Sequence, residues 1–277
     1  MTIRDDHALA GDLATEAGER LLRIRERLGF DEPAALKAEG DRASHVFLME
    51  SLARLRPSDS VLSEEATREE RLDPRRLRAD RVWIVDPLDG TREFAERRAD
   101  PGSGGAGDQE GVVGIADAAE GRSDWAVHVA LWERGRLAAG AVALPAQGRT
   151  LTTAEPPKPP AYTGGRFRIA VSRTRPPEFV RKLAYLVGAD LVPIGSAGAK
   201  ISAVLTGDVE AYVHAGGQYE WDSAAPVAVA LAAGAHASRI DGSPLTYNQA
   251  DPSLPDILVS LPELATSLLA GIRDLHR

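Results

Sequence analysis

Two halves of different architecture are written into this chain of 277 residues. The first holds helical patterns and then alternating strands joined in a hairpin, an α+β arrangement. The second alternates strand and helix, the mark of an α/β layer. Between them Glu155-Pro156-Pro157-Lys158-Pro159-Pro160 is stiff and extended, as a domain boundary should be. The expected division is residues 1–154, a Pro-rich linker over 155–166, and residues 167–277.

In the first half, Leu9, Leu13, Ala17, Leu21, Ile24 and Leu28 recur at three- and four-residue spacing and predict a helix over 7–28. Gly29-Phe30-Asp31-Glu32-Pro33 ends it. A second helix is expected from about Asp41 to Leu55, with the Asp41 carboxylate at its N-terminus complementing the dipole. Ser60-Val61-Leu62-Ser63 is a short strand running into Glu64-Glu65. Val82-Trp83-Ile84-Val85 reads as a buried strand. Asp86 follows, and then Pro87, which cannot donate to a ladder and is expected to take the chain out of the sheet. Asp89-Gly90-Thr91 turns into a helix.

Residues 95–122 form an insertion-like surface loop, expected to be mobile, around Gly102-Ser103-Gly104-Gly105-Ala106-Gly107. The hexamer spells G-x-G-x-x-G, but no strand precedes it and no helix follows, so no dinucleotide site is expected there. Trp125, Val127, Val129 and Leu131 then alternate on one face of a strand that returns over 137–144 as a hairpin.

In the second half, strands are expected at 167–171, 191–194, 209–214, 235–239 and 257–260. Helices are expected at 177–187, about 196–205, 222–233 and 263–274.

Composition narrows the function. Hydrophobic residues make up 43% and charged ones 27%, ordinary for a globular protein. No apolar run is long enough for a membrane span. Residues Met1–Asp6 lack an apolar signal core, so a cytoplasmic location is expected. A net charge of −8 argues against nucleic-acid binding, though bound cations could still admit a small anionic substrate. Cysteine is absent, which excludes disulfides and thiolate zinc sites. The histidines are scattered, with His128 and His214 placed in strands and packed there. No G-x-S-x-G elbow and no P-loop occurs, against serine hydrolases and P-loop enzymes.

Three acidic clusters share a local setting at a strand end or helix start: Glu64-Glu65, Asp86 with Asp89, and Asp222. Several carboxylates suit Mg²⁺, and two such ions can activate a water and stabilise a leaving oxygen in phosphoryl transfer. Singly, each acid has an ordinary explanation as a turn former or helix cap.

The motifs themselves carry a resemblance. Trp83-Ile84-Val85-Asp86-Pro87-Leu88-Asp89-Gly90-Thr91 resembles the signature of the inositol monophosphatase superfamily. Leu62-Ser63-Glu64-Glu65 and Trp221-Asp222-Ser223-Ala224-Ala225-Pro226 resemble its other two metal motifs, in the same order. Thr91-Arg92-Glu93-Phe94 is similar to the CysQ-type 3'(2'),5'-bisphosphate nucleotidases, as is Gly195-Ser196-Ala197-Gly198-Ala199-Lys200.

The resemblance implies a layered α-β-α-β-α sandwich of the sugar-phosphatase type. It implies two or three Mg²⁺ ions, with Li⁺ as inhibitor. Glu64, Asp86 and the Leu88 carbonyl would bind one ion, and Asp86, Asp89 and Asp222 a second. Asp41 and Thr91 would orient and deprotonate the attacking water. The Gly90 and Thr91 amides would hold the scissile phosphate. Arg92, Ser196, Lys200 and Asp222 would contact the rest of the substrate, Ser196 and Lys200 at its distal phosphate or ribose. Two departures stand out: Lys37-Ala38-Glu39-Gly40-Asp41 lacks the threonine often found upstream of Asp41, and the 95–122 insertion is longer than usual.

The implied reaction is hydrolysis of the 3'-phosphate of adenosine 3',5'-bisphosphate to AMP, a step linked to sulfur assimilation, with the sulfated nucleotide as a second candidate. Inositol monophosphate and fructose 1,6-bisphosphate are the alternative substrates, and a non-catalytic nucleotide or metal sensor is the alternative class. The expected partners are this small nucleotide and, as an allowed assembly, a second copy of the chain; neither nucleic acid nor membrane is expected.

Overall fold

A computed structural model describes residues 5–98, 121–174 and 176–275. Most of the 95–122 insertion, including its glycine-rich hexamer, therefore lies outside the described residues. The chain reaches it and leaves it side by side, through an antiparallel bridge between Arg97 and Gly121.

Five layers stack as α-β-α-β-α, as the resemblance implies. The outer layer is α1 (Asp6–Leu28) and α2 (Pro33–Leu55). Beneath it lies a sheet of β1 (Ser60–Ser63), β2 (Arg81–Asp89), β3 (Ala126–Glu133), β4 (Arg136–Leu144) and β5 (Arg149–Thr152), in that order. Two short helices, α3 (Arg68–Arg71) and α4 (Pro74–Arg78), link β1 to β2, and a single turn, α5 (Thr91–Phe94), follows β2.

The second half supplies a mixed sheet of β6 (Arg168–Ser172), β7 (Asp190–Ile194), β8 (Ala211–Ala215), β9 (His236–Ser238) and β10 (Asp256–Ser260), ordered β7-β6-β8-β10-β9. Helices α7 (Ala197–Thr206) and α8 (Ala224–Ala232) fill the space between the sheets. Helices α6 (Glu178–Val187) and α9 (Pro262–Leu275) cover the far face. The strand–helix alternation predicted this layer, but only β6 pairs parallel with its neighbours; β10 runs antiparallel to β8 and β9.

Alternation along the strands sorts the side chains into separate cores. Trp83 and Val85 pack toward α1 and α2, while Val82 and Ile84 pack toward α7 and α8. Both faces of β2 are thus buried. On β3 the expected apolar face of Val127, Val129 and Leu131 is present, yet Ala126 and Ala130 on the other face are fully buried as well. Their small side chains let the middle helices sit close to the sheet.

Three local expectations are corrected. Helix α2 begins at Pro33, not Asp41, so Asp41 lies in its interior. Pro33 suits a first helical turn, and Gly40 lies inside the helix at a close contact: a Cβ there would meet the Phe94 ring at 2.8 Å and Leu88 at 3.1 Å. Pro87 does not end β2, which continues to Asp89. The helix predicted over 222–233 is split, with a 3-10 turn at Glu220–Asp222 before α8.

Candidate active site

In a regular strand, residues three apart point to opposite faces. Asp86 and Asp89 are three apart on β2. Asp86 pairs with His128 of β3 and Asp89 with Ala126, three steps on one strand against two on the other. The extra residue makes a bulge, which turns both carboxylates to the same side. Pro87 sits in the bulge, where its missing N–H costs no ladder bond, and its carbonyl accepts from Ser44 Oγ at 2.7 Å. Leu88 N donates to Asp86 Oδ1 at 3.0 Å.

The other acids arrive from elsewhere in the chain. Glu64 follows β1, its amide bonded to the Val85 carbonyl at 3.3 Å, and its carboxyl lies within hydrogen-bond reach of the Asp86 carboxyl. Asp222 comes from the second half on the 3-10 turn, its Oδ2 accepting Tyr219 N at 2.7 Å. Carboxylate oxygens of Asp86, Asp89 and Asp222 lie within 4.8 Å of one another.

The crowding shows in the acidities. Burial, then the charges of Glu64, Asp89 and Asp222, hold the Asp86 carboxyl well above its usual range. Burial raises Glu64, helped by Asp89 and Glu65. Burial and the Asp89 charge push Asp222 up to about 7. Asp89 goes the other way: burial raises it, but His128 and the Gly198 N–H outweigh burial and leave it low.

His128 Nε2 is 3.1 Å from Asp89 Oδ2, and the ring's other nitrogen, Nδ1, is 2.9 Å from the Trp221 carbonyl. Gly198 N donates to Asp89 Oδ2 at 2.6 Å, and a Cβ at Gly198 would run into the His128 ring and Asp89 itself. Only glycine lets α7 come this close.

Among the described residues, no arginine or lysine forms an ion pair with Glu64, Asp86, Asp89 or Asp222, and His128 is the single basic group in contact with them. Buried carboxylates held above their normal range lack a cation. The donors are hard oxygens, and they fit a Mg²⁺-type ion rather than a soft metal.

Asp41 and Thr91 stand beside this cluster. Thr91 Oγ1 donates toward Asp41 Oδ1 at 3.4 Å and toward the Leu88 carbonyl at 3.2 Å. Asp41 was expected at a helix start, where the dipole would favour its charge. In the interior of α2, burial and then the charges of Glu65 and Glu64 push it up to about 7. Gly90 takes the left-handed conformation, φ 88°, at the head of α5.

The remaining predicted residues are placed less simply. Arg92 is exposed. Ser196 flanks Gly90 and caps α7, its Oγ accepting Ala199 N at 3.0 Å. Lys200 is buried, with Nζ donating to the Gly195 carbonyl and lying 5.4 Å from the Tyr212 ring centroid. Burial lowers its pKa.

Glu93, the residue that distinguished the nucleotidase-like motif, is buried and ion-paired to Arg173 at 3.1 Å; Arg173 also holds Glu96. It ties α5 to the end of β6. Sequence reasoning missed His128 as a neighbour of the acids. Its signal was phase: it shares a strand face with Ala126 and Ala130, away from Val127 and Val129.

Comparisons with known proteins agree across nearly the whole chain. A model described as the inositol monophosphatase family matches residues 8–276. The 3'-phosphoadenosine 5'-phosphate phosphatase of Mycobacterium leprae (strain TN) is 50% identical over 97% of this chain and 94% of its own length. The 3'(2'),5'-bisphosphate nucleotidase CysQ of Escherichia coli (strain K12) is 31% identical over 90% of this chain and 97% of its own. The crystal structure of inositol monophosphatase II from Staphylococcus aureus MSSA476 superposes with a TM-score of 0.73 at 23% identity, covering 97% of this chain and 95% of that one. That likeness is one of fold. No helix among the described residues is long and apolar enough to cross a membrane.

Proposed function

This chain belongs to the inositol monophosphatase family, and on that premise we propose that it is a 3'-phosphoadenosine 5'-phosphate phosphatase, releasing orthophosphate and AMP from adenosine 3',5'-bisphosphate. The observation that carries the reading is the 50% identity, end to end, with a protein of that name. The unbalanced carboxylates support it chemically.

In this reading Glu64, Asp86, Asp89 and Asp222, with the Leu88 carbonyl, would hold two or three Mg²⁺ ions. Bound there, the ions supply positive charge that activates water and stabilises the departing 3'-oxygen. The chain's own residues do the positioning. The Thr91 hydroxyl points its proton at Asp41 and leaves its lone pairs to accept from the attacking water. As the water's proton passes to Thr91 Oγ1, the threonine's own proton would pass to Asp41, whose pKa burial and then the charges of Glu65 and Glu64 push up to about 7. The Gly90 and Thr91 amides hold the phosphate, and Arg92, Ser196 and Lys200 border the rest of the nucleotide.

The site draws on both sides of the 155–166 segment, consistent with a cleft between two domains. Inhibition by Li⁺, a cytoplasmic setting, a homodimer and turnover of the sulfated nucleotide belong to the same reading. A phosphate-release panel with Mg²⁺ across adenosine 3',5'-bisphosphate, inositol 1-phosphate and fructose 1,6-bisphosphate tests it. The nucleotide should be the preferred substrate; a preference for either sugar phosphate contradicts the proposal.

A further inference from the structure

The turn that brings Asp222 to the carboxylates also carries two aromatic rings. Tyr219 and Trp221 lie stacked, centroids 4.8 Å apart and planes 12° from parallel. Trp221 is 2% exposed and belongs to the core between the sheets, whereas Tyr219 is 44% exposed. The Arg71 guanidinium stands 5.5 Å from the Trp221 ring centroid, so the inner ring is braced from the α3 side as well.

The backbone under Tyr219 is equally fixed. Tyr219 forms a bridge with Ser253, and Glu220 N donates to the Pro252 carbonyl at 2.8 Å. Tyr219 N itself donates to Asp222 Oδ2. A half-open ring on a rigid mount, already stacked on one neighbour, loses little entropy when a second flat group covers it.

We infer that Tyr219 is the stacking platform for the adenine of the substrate. The inference rests on the proposed nucleotide reading: with the 3'-phosphate held at the carboxylates, the base of the same molecule must lie beside them. The backbone amide of Tyr219 is hydrogen-bonded to Asp222 Oδ2 at 2.7 Å, and its ring is carried on the same turn. One short turn thereby addresses the two ends of a single nucleotide, phosphate through Asp222 and base through Tyr219. A baseless sugar phosphate gains nothing from the ring, which makes Tyr219 a specificity determinant.

Steady-state kinetics on the Mg²⁺-loaded protein test this, using adenosine 3',5'-bisphosphate as substrate and the products AMP and orthophosphate as separate inhibitors. Base–aromatic stacking is lost on alanine substitution at a level that converts to roughly 10- to 100-fold. Tyr219→Ala should therefore raise KM for the nucleotide and the inhibition constant for AMP by about that factor, with the constant for orthophosphate shifted less than about twofold. Tyr219→Phe keeps the π face and should restore both.

Equal weakening of AMP and orthophosphate would mean that the substitution merely disturbs Asp222, and would overturn the inference. So would a KM in Tyr219→Ala within twofold of wild type. Failure of the underlying reading looks different: the wild-type protein would then release no phosphate from the nucleotide.

Discussion

At the start of β2, Arg81 reaches three carboxylates at once: Asp59 at 3.1 Å, Asp6 at 2.9 Å and Glu133 at 3.1 Å. Arg56 adds a second cation to Asp6 at 2.8 Å, and Trp83 Nε1 donates to Asp59 at 2.9 Å. Burial alone would raise Asp6, but its hydrogen bonds to Arg81 and Arg56 leave it below its normal range. At the far end of the same strand Asp86 and Asp89 meet Glu64 and Asp222, and among the described residues no arginine or lysine forms an ion pair with them. There burial and mutual repulsion push Asp86, Glu64 and Asp222 upward.

The fold evidently can pair buried acids with arginine. Where it leaves them unpaired, the acids suit the metal ions proposed for the site.

Substitutions should separate the two ends sharply. At the unpaired end, Asp89→Asn and Asp222→Asn are expected to cut turnover of adenosine 3',5'-bisphosphate by about a thousandfold or more, since each removes a carboxylate proposed as a metal ligand. Thermal melting of metal-free Asp222→Asn should match wild type or rise slightly, because a repelling carboxyl has gone. At the paired end the pattern inverts. Arg81→Met leaves the side chain of Asp59, only 4% exposed, without its cation; urea unfolding should show a loss of about 2 kcal/mol or more, with kcat near wild type.

A smaller effect follows from pH. Asp222 holds its proton in the fold up to about 7, well above its ordinary value of 3.8. The stability from that proton is complete below about pH 4 and is lost as pH rises to 7. Asp41 acts in the same direction. So does His128, which Asp89 raises above its usual value despite the opposing effect of burial. Metal-free protein should therefore melt on the order of 5 °C lower at pH 8 than at pH 5. The Arg81 end gives the opposite slope only in more acidic solution, where Asp6 protonates.

Smallest of all, Glu93→Gln should weaken the tie to Arg173 and lower kcat/KM a few-fold, about 1 kcal/mol or less. Stopped assays at saturating and limiting nucleotide would show whether kcat or KM carries the loss.

Much of this was legible before any coordinates. The strand ends carrying Glu64 and Asp86, the hairpin and the helix–strand alternation all follow from local pattern. What escaped was whatever depends on a distant partner. The bulge at Pro87 is defined by the residues opposite it on β3, so proline alone read as an exit from the sheet. The first turns of α2, before Asp41, went unread because what Gly40 packs against, the Phe94 ring, comes from a distant element. The burial of Lys200 was not legible, because the Gly195 carbonyl and the Tyr212 ring that enclose it meet only in the folded chain. Arg81 gave no signal at all, since its acids come from α1, the turn before β1, and the end of β3.

The central claim is that the acids at the end of β2 are balanced by bound Mg²⁺ while those at its start are balanced by arginine. Melting temperature at pH 7.5, measured with and without Mg²⁺ for wild type, Asp222→Asn and Arg81→Met, tests it most directly. Mg²⁺ should stabilise wild type and Arg81→Met by several degrees, a linkage effect of roughly 1–2 kcal/mol or more, and leave Asp222→Asn nearly unmoved. An equal Mg²⁺ response in all three proteins, or none in wild type, would contradict it.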